Sequence, residues 1–126
     1  MRKDLLSLLL LLLPVISLAG EADVLSAEVE HVGGDFYRFN VTVQHTDEDW
    51  EHFAKAWEVL SPDGTKLGAR ILQHPHINEQ PFTRSMTVTI PKQINKVTIR
   101  AYDLIHEFGG KELKIDINKD KQDDIN

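Results

Sequence analysis

The sequence predicts an all-β protein, a seven-stranded immunoglobulin-like antiparallel β-sandwich that follows a signal peptide. Two observations lead to this prediction. Apolar and polar residues alternate with a period of two over most of the chain, as they do in half-buried strands. Turn signals such as Gly33-Gly34 and residues 61–64 separate these runs at intervals of roughly 8–12 residues. No stretch after residue 19 has the 3.6-residue period of a helix.

Seven alternating runs give the predicted strands, and the second run shows the pattern most clearly. Its odd-numbered positions form one apolar face that ends in a histidine: Tyr37, Phe39, Val41, Val43 and His45. Polar residues occupy the even positions, so this strand is expected to bury one side only. Trp57 on the third run is expected in the core. The predicted strands are residues 24–32, 36–45, 54–60, 65–72, 83–90, 96–103 and 111–117.

Residues 1–19 have the three parts of a signal peptide. Two basic residues precede an apolar run, and Ser17-Leu18-Ala19 places small residues at the expected cleavage position. The apolar run is shorter than the roughly 20 residues that a membrane-spanning helix needs. We therefore expect one β-sandwich domain over residues 20–117. The last nine residues, 118–126, have no apolar period and are expected to form a flexible polar tail.

Composition excludes several classes of function. The 126 residues have a net charge of −6, and removal of Arg2, Lys3 and Asp4 with the signal peptide would make it −7. A negative domain is not expected to bind nucleic acid. The chain has no cysteine, which excludes disulfides, thiolate metal sites and cysteine nucleophiles. The expected location is periplasmic or secreted, with no integral membrane segment after signal cleavage.

Histidines gather at one end of the predicted sandwich. In an up-and-down order of strands, the second, fourth and sixth connections emerge at the same end. Five of the six histidines lie in or beside these three connections: His45, His52, His74, His76 and His106. We call this end the histidine pole. Acidic residues cluster there as well, for example Glu48 and Asp103, so the pole is the expected working surface.

The predicted metal ligands at this pole are four histidines: His52, His74, His76 and His106. Residues 73–82 form a predicted loop, which we call the His-Pro-His loop. His74 and His76 flank Pro75, which stiffens this loop. Imidazoles beside carboxylates suit copper or zinc. Three further residues are expected to orient the ligands or to order the loop: Glu79, Arg84 and Asp103. The alternative is that the histidines only form a hydrogen-bond network that orders the loops.

Three motifs resemble those of a group of small exported bacterial proteins. They are Trp-Glu-Val-Leu-Ser-Pro-Asp-Gly at residues 57–64, His-Pro-His followed by Glu-Gln-Pro-Phe-Thr-Arg-Ser within residues 74–85, and Asp103 and His106 before Phe-Gly-Gly at residues 108–110. The resemblance covers most of residues 24–117. It implies an exported β-sandwich and brings no activity with it.

The sequence therefore favours a non-enzymatic binding module that uses the histidine pole. Its ligand would be a transition metal such as copper or zinc, a small polar molecule or a protein partner. One alternative is a small metalloenzyme that carries out copper redox chemistry at the same pole. The other is a purely structural or protein-interaction domain. A blue-copper electron carrier is disfavoured because the chain has no cysteine.

Overall fold

The computed structural model describes residues 20–117, which form seven strands. The strands are β1 (Asp23–Gly33), β2 (Phe36–Gln44), β3 (Ala54–Leu60), β4 (Lys66–Ile71), β5 (Phe82–Thr89), β6 (Lys96–Asp103) and β7 (Leu113–Asp116). Helices are absent from these 98 residues. The all-β prediction is confirmed, and each predicted strand end lies within two residues of the observed one.

Two predicted segments lie outside the described residues. They are the signal peptide at residues 1–19 and the polar tail at residues 118–126, so both stay predictions. Between these two segments, the chain contains no helix that is long and apolar enough to cross a membrane.

The strands form two antiparallel sheets with the orders β1-β2-β5 and β4-β3-β6-β7. The tight turn after β3 explains why β4 lies in the second sheet. The Gly64 amide donates a hydrogen bond to the Ser61 carbonyl at 2.9 Å, and Gly64 has a φ of +89° that glycine adopts without strain. This turn folds β4 back onto β3 as a hairpin. In constant-type immunoglobulin domains the fourth strand belongs to the other sheet.

The inner faces of the two sheets form one hydrophobic core. β2 contributes Phe39, Val41 and Val43, as its alternation predicts, and all three are fully buried. β3 contributes Trp57, which is also fully buried, so its predicted place in the core is confirmed. Burial of each such aliphatic or aromatic side chain contributes about 1.5–3 kcal/mol, which gives the pole a rigid support.

The three histidine-bearing connections meet at one end of this core. The His45 amide, just after β2, donates to the Gln80 side chain in the His-Pro-His loop at 3.0 Å. The Leu104 amide, just after β6, donates to the Phe53 carbonyl at 3.4 Å. The β2–β3, β4–β5 and β6–β7 connections therefore contact one another, as the order of the strands predicts.

Candidate metal centre

Three side chains from the β2–β3 connection and from the end of β6 converge on one point. His45 and His52 flank the start and end of the β2–β3 connection, and Asp103 is the last residue of β6. The two Nε2 atoms are 3.2 Å apart. His45 Nε2 is 3.8 Å from Asp103 Oδ2, and His52 Nε2 is 3.5 Å from Asp103 Oδ1. We call His45, His52 and Asp103 the histidine–carboxylate group.

Asp103 presents an unpaired carboxylate oxygen to this point. Its side chain is fully buried. Oδ1 accepts hydrogen bonds from the amides of Ile105 at 2.8 Å and His106 at 2.6 Å. Oδ2 has no hydrogen-bond partner within residues 20–117. Burial of a carboxylate is costly unless a cation or a hydrogen-bond donor compensates it, so Oδ2 is available as a metal ligand.

Two other carboxylates orient the imidazole rings. His45 Nδ1 lies 2.5 Å from Asp47 Oδ1, and His52 Nδ1 lies 2.6 Å from Glu48 Oε1. A carboxylate only accepts, so each Nδ1 carries a proton, and in a neutral ring Nε2 carries the lone pair. Two lone pairs that face each other at 3.2 Å require a cation, either a proton or a metal ion, between them. Carboxylates behind histidine ligands hold them in this way in metal sites.

His52 is the ring on which a proton is held more tightly than usual. Burial alone would lower its pKa, but the hydrogen bond to Glu48 and the charges of Asp103 and Glu48 outweigh burial, so the pKa is raised. About 12% of the His52 side chain is exposed to solvent. A metal ion at this point would replace that proton.

Asp47 joins the group to the rest of the pole. Besides His45, its Oδ1 accepts from the Ala54 amide at 3.1 Å, and its Oδ2 accepts from the His76 amide at 2.6 Å. Asp49 then turns the chain, because its carboxylate accepts from the His52 amide at 3.2 Å. This turn brings the His52 ring edge-on to His45, with 4.8 Å between the ring centroids.

His106 lies at the edge of the group. Its Nδ1 is 3.2 Å from Asp103 Oδ1, and its ring centroid is 5.2 Å from that of His52. About a third of its side chain is exposed. His106 can therefore shield the group from solvent or approach the same ion from outside.

His74 and His76 form a separate pair. Their ring centroids are 4.7 Å apart, and His76 stacks on Phe82 at 4.1 Å with an interplanar angle of 9°. Burial, together with the charges of Arg84 and His74, lowers the pKa of His76. His74 Nδ1 donates to the Pro75 carbonyl at 3.0 Å. Neither ring belongs to the histidine–carboxylate group.

Glu79 and Arg84 lie in or beside the His-Pro-His loop and pair with each other. Arg84 Nη2 is 3.0 Å from Glu79 Oε1, and Arg84 Nη1 donates to the Thr83 carbonyl at 2.7 Å. Gln80 ties the loop down as well, because its side-chain amide donates to the His76 carbonyl at 2.9 Å and accepts from His45. The loop has the internal and cross-loop hydrogen bonds that its length requires.

Sequence reasoning named some of these residues and missed others. It named His52 and His106 as ligands and Asp103 as an orienting residue, and these three lie together. It did not name His45 as a ligand, nor Asp47 and Glu48 as the carboxylates behind the rings. One signal was present in the sequence, since His45 continues the buried face of the second strand. The choice of ligands stays a prediction until a metal is tested.

Fold and site together define a class: a β-sandwich domain with a buried group of two histidines and one aspartate that could hold a metal ion. The chain is similar to a protein of Halomicrobium mukohataei whose name is "Putative lipoprotein", with 35% identity over 96 residues. The match covers 76% of this chain and 47% of that protein, so the chain spans about half the length of this relative. No protein-family model matches the chain.

Among solved structures, the superoxide reductase (1Fe-SOR) from Giardia intestinalis is similar over 75% of this chain and 98% of that chain. The TM-score is 0.45 and the sequence identity is 12%. A similarity of this size carries no argument about the function of this chain.

Proposed function

We propose that this chain is an exported domain that binds one divalent transition-metal ion, zinc or copper, in the histidine–carboxylate group. It acts as a binding module rather than as an enzyme. One observation carries the proposal: the ligand atoms of His45, His52 and the fully buried Asp103 lie within 4.8 Å of one another, and one Asp103 carboxylate oxygen has no hydrogen-bond partner among the described residues. Groups of this kind are stable when a cation compensates them.

The distances support an ion of this size. Zinc binds imidazole nitrogen at about 2.0–2.1 Å and carboxylate oxygen at about 2.0–2.2 Å, so neighbouring ligand atoms in a tetrahedral site are about 3.3 Å apart. Here the two Nε2 atoms are 3.2 Å apart, His52 Nε2 is 3.5 Å from Asp103 Oδ1, and His45 Nε2 is 3.8 Å from Asp103 Oδ2. These spacings are close to those of a tetrahedral zinc site.

The donor types support a transition metal of intermediate hardness. Imidazole nitrogen suits zinc, copper and iron, whereas calcium and magnesium take oxygen ligands. Two histidines and one carboxylate also form the donor set of non-haem iron(II) sites, so iron(II) is the second ion to test. A copper redox enzyme at the same pole is the alternative function, and it would need a coordination position that is open to substrate.

Export has two supports. Residues 1–19 have the pattern of a signal peptide, and the Halomicrobium relative carries the name lipoprotein. We propose a periplasmic or secreted location on these grounds. The resemblance of the His-Pro-His loop to that of small exported proteins agrees with this location and stays a prediction.

The decisive experiment compares two double variants, each of which removes both imidazoles of one histidine pair. We expect zinc and copper(II) to bind the untagged wild-type protein and to raise its free energy of unfolding by about 2.7 kcal/mol at a hundredfold excess over the dissociation constant. The double variant His45→Ala, His52→Ala should lose this stabilisation. The matched control His74→Ala, His76→Ala removes the same number of imidazoles and should keep it.

Calorimetry and thermal melting with zinc, copper(II) and iron(II) measure these effects. Absence of binding by the wild-type protein would refute the metal function. Loss of binding in the control variant alone would instead place the site in the His-Pro-His loop, as the sequence first suggested. Iron(II) binding that exceeds zinc binding, together with turnover of an oxidant, would favour an enzyme.

A further inference from the structure

The chain just before β1 crosses the remaining side of the histidine–carboxylate group. We call residues 20–22 the amino-terminal strap. The Gly20 carbonyl oxygen lies 3.0 Å from His45 Nε2. A Cβ on Gly20 would lie 3.1 Å from Cε1 of His106. The Gly20 carbonyl therefore faces the same point as the two Nε2 atoms.

The β6–β7 connection holds the strap in this position. The Lys111 amide donates to Asp23 Oδ1 at 2.7 Å, and the Val24 amide donates to the Lys111 carbonyl at 2.9 Å. The two glycines of the Phe-Gly-Gly motif make room for the strap, because a Cβ at Gly109 would overlap the Glu21 carboxylate and one at Gly110 would overlap the Ala22 carbonyl. The motif therefore has a physical role, which is to let the strap lie against the histidine pole.

We infer that the main-chain carbonyl oxygen of Gly20 is the fourth ligand of the metal ion, which closes the site and fastens the amino-terminal strap to the pole. This inference rests on the proposed metal function. A carbonyl oxygen and an imidazole lone pair are both acceptors, so their 3.0 Å approach requires a proton or a metal ion near both.

The fourth donor decides between binding and catalysis. His45, His52, Asp103 and Gly20 together supply two nitrogen and two oxygen donors. Zinc sites with four protein ligands are closed and structural, whereas catalytic sites keep one position for water or substrate. A closed site agrees with a binding module and leaves no position for a substrate.

The first test compares two glycine substitutions in the full chain. Gly20 has a φ of +125° and Gly64 a φ of +89°, so alanine is strained at both positions. Gly64 lies in the β3–β4 turn, where a Cβ would contact nothing within 4 Å. We expect Gly20→Ala to weaken zinc binding at least tenfold, measured by competition with a chelating dye. Gly64→Ala should bind zinc as the wild-type protein does.

The second test observes the carbonyl itself and does not depend on a variant that folds. The chain has seven glycines, and labelling with 13C at the glycine carbonyl gives one NMR signal for each. Zinc should shift one signal strongly, and additional 15N labelling of glutamate should identify it as Gly20, because no other glycine precedes a glutamate in the sequence. The cobalt(II) protein should show the intense visible bands of tetrahedral cobalt, and azide should leave them unchanged.

The outcomes separate this inference from the proposed function. If zinc binding depends on His45 and His52 but not on Gly20, and no glycine carbonyl shifts, the fourth ligand is refuted and the metal site stands. A cobalt spectrum that changes with azide would refute the closed site. If the wild-type chain binds neither zinc nor copper, the metal function and the fourth ligand both fail.

Discussion

Two pairs of histidines lie at the same end of this sandwich, yet only one pair has its nitrogen atoms arranged as ligands. In the pair His45 and His52, carboxylates hold both Nδ1 atoms and the Nε2 atoms face each other at 3.2 Å. In the pair His74 and His76, the rings lie side by side and His76 stacks on Phe82. The two pairs of rings are about equally close. The difference is the group that contacts each ring from outside the pair: a carboxylate on Nδ1 leaves Nε2 free to bind a metal, whereas stacking on Phe82 does not orient a nitrogen.

The electrostatic surroundings differ in the same direction. The histidine–carboxylate group includes Asp103 and is backed by Asp47 and Glu48, so it attracts a cation. Two acids lie near the His-Pro-His loop: Glu79 already pairs with Arg84 at 3.0 Å, and Asp47 already accepts hydrogen bonds from His45 and from the amides of Ala54 and His76. Burial, and then the charges of Arg84 and His74, lower the pKa of His76, whereas the pKa of His52 is raised.

The histidine–carboxylate group and the His-Pro-His loop should differ most in stability and zinc affinity when one carboxylate is neutralised in each. Asp47→Asn replaces a buried carboxylate that accepts from His45, Ala54 and His76. Hydrogen bonds to buried charged groups contribute about 1.5–3 kcal/mol each, so we expect a loss of about 3 kcal/mol in the free energy of unfolding. Zinc affinity should also fall by roughly 10–100-fold, because Asp47 orients His45.

The matched change in the other region is Glu79→Gln. Glu79 is exposed and pairs with Arg84 at the surface, and such pairs contribute about 0–1 kcal/mol. Urea unfolding measures stability and calorimetry measures zinc affinity for both variants. Equal effects of the two changes would show that Asp47 does not have the role assigned to it.

The next difference concerns protons. The pKa of His52 is raised above its ordinary 6.5 by Glu48 and Asp103, which outweigh burial. The pKa of His76 is lowered by burial and by Arg84. We therefore expect His52 to titrate above pH 6.5 and His76 below it in NMR spectra of the metal-free protein, with His→Gln variants for assignment. The reverse order would contradict the contacts described here.

These two shifts act on stability at opposite ends of the pH range. His52 contributes stability below pH 6.5, and this contribution is lost as the pH rises through its folded-state pKa. His76 lowers stability as the pH falls below 6.5 toward its folded-state pKa, because the unfolded chain takes up the proton first. Urea unfolding from pH 4.5 to 8.5 measures both effects. In the wild-type protein the free energy of unfolding should fall toward alkaline pH because of His52 and toward acidic pH because of His76. His52→Gln should abolish the first decrease, and His76→Gln should abolish the second.

Sequence patterns predicted the fold and the pole because both depend on local periodicity. Alternation in residues 36–45 is visible without knowledge of the other strands, and the order of the strands alone places the even connections at one end. The ligand set depends on contacts that no local pattern shows. The His-Pro-His motif is conspicuous in the chain, but the place of Phe82 beneath His76 is set by the pairing of β5 with β2.

Orientation was the second feature that the sequence did not give. The hydrogen bonds of Asp47 and Glu48 decide which nitrogen of each ring faces inward, and these carboxylates precede the Asp49 turn by one or two residues. Their acidity was visible in the sequence as a cluster of charge. Their role becomes visible only when the turn brings His52 back over His45.

The smallest expected effect concerns Arg84, which the sequence predicts to orient the ligands or to order the loop. About 29% of its side chain is exposed, and its guanidinium lies 5.6 Å from the centroid of the Phe82 ring. Arg84→Met keeps the apolar stem but removes the ion pair to Glu79, and we expect a loss of at most about 1 kcal/mol. The Gln80 hydrogen bonds remain, so protection of the loop from proteolysis should change little.

Removal of the guanidinium should also raise the pKa of His76 toward 6.5, because one of the charges that lower it is gone. Arg38→Met is the matched control. Arg38 forms a surface ion pair with Glu30, with 3.0 Å between Nη1 and Oε1, and this pair does not belong to the pole. Arg38→Met should cost as little stability and leave His76 unchanged. If Arg84→Met, but not Arg38→Met, lowers the free energy of unfolding by more than about 2 kcal/mol and the loop is cleaved rapidly, then the ion pair, and not the hydrogen bonds of Gln80, orders this loop.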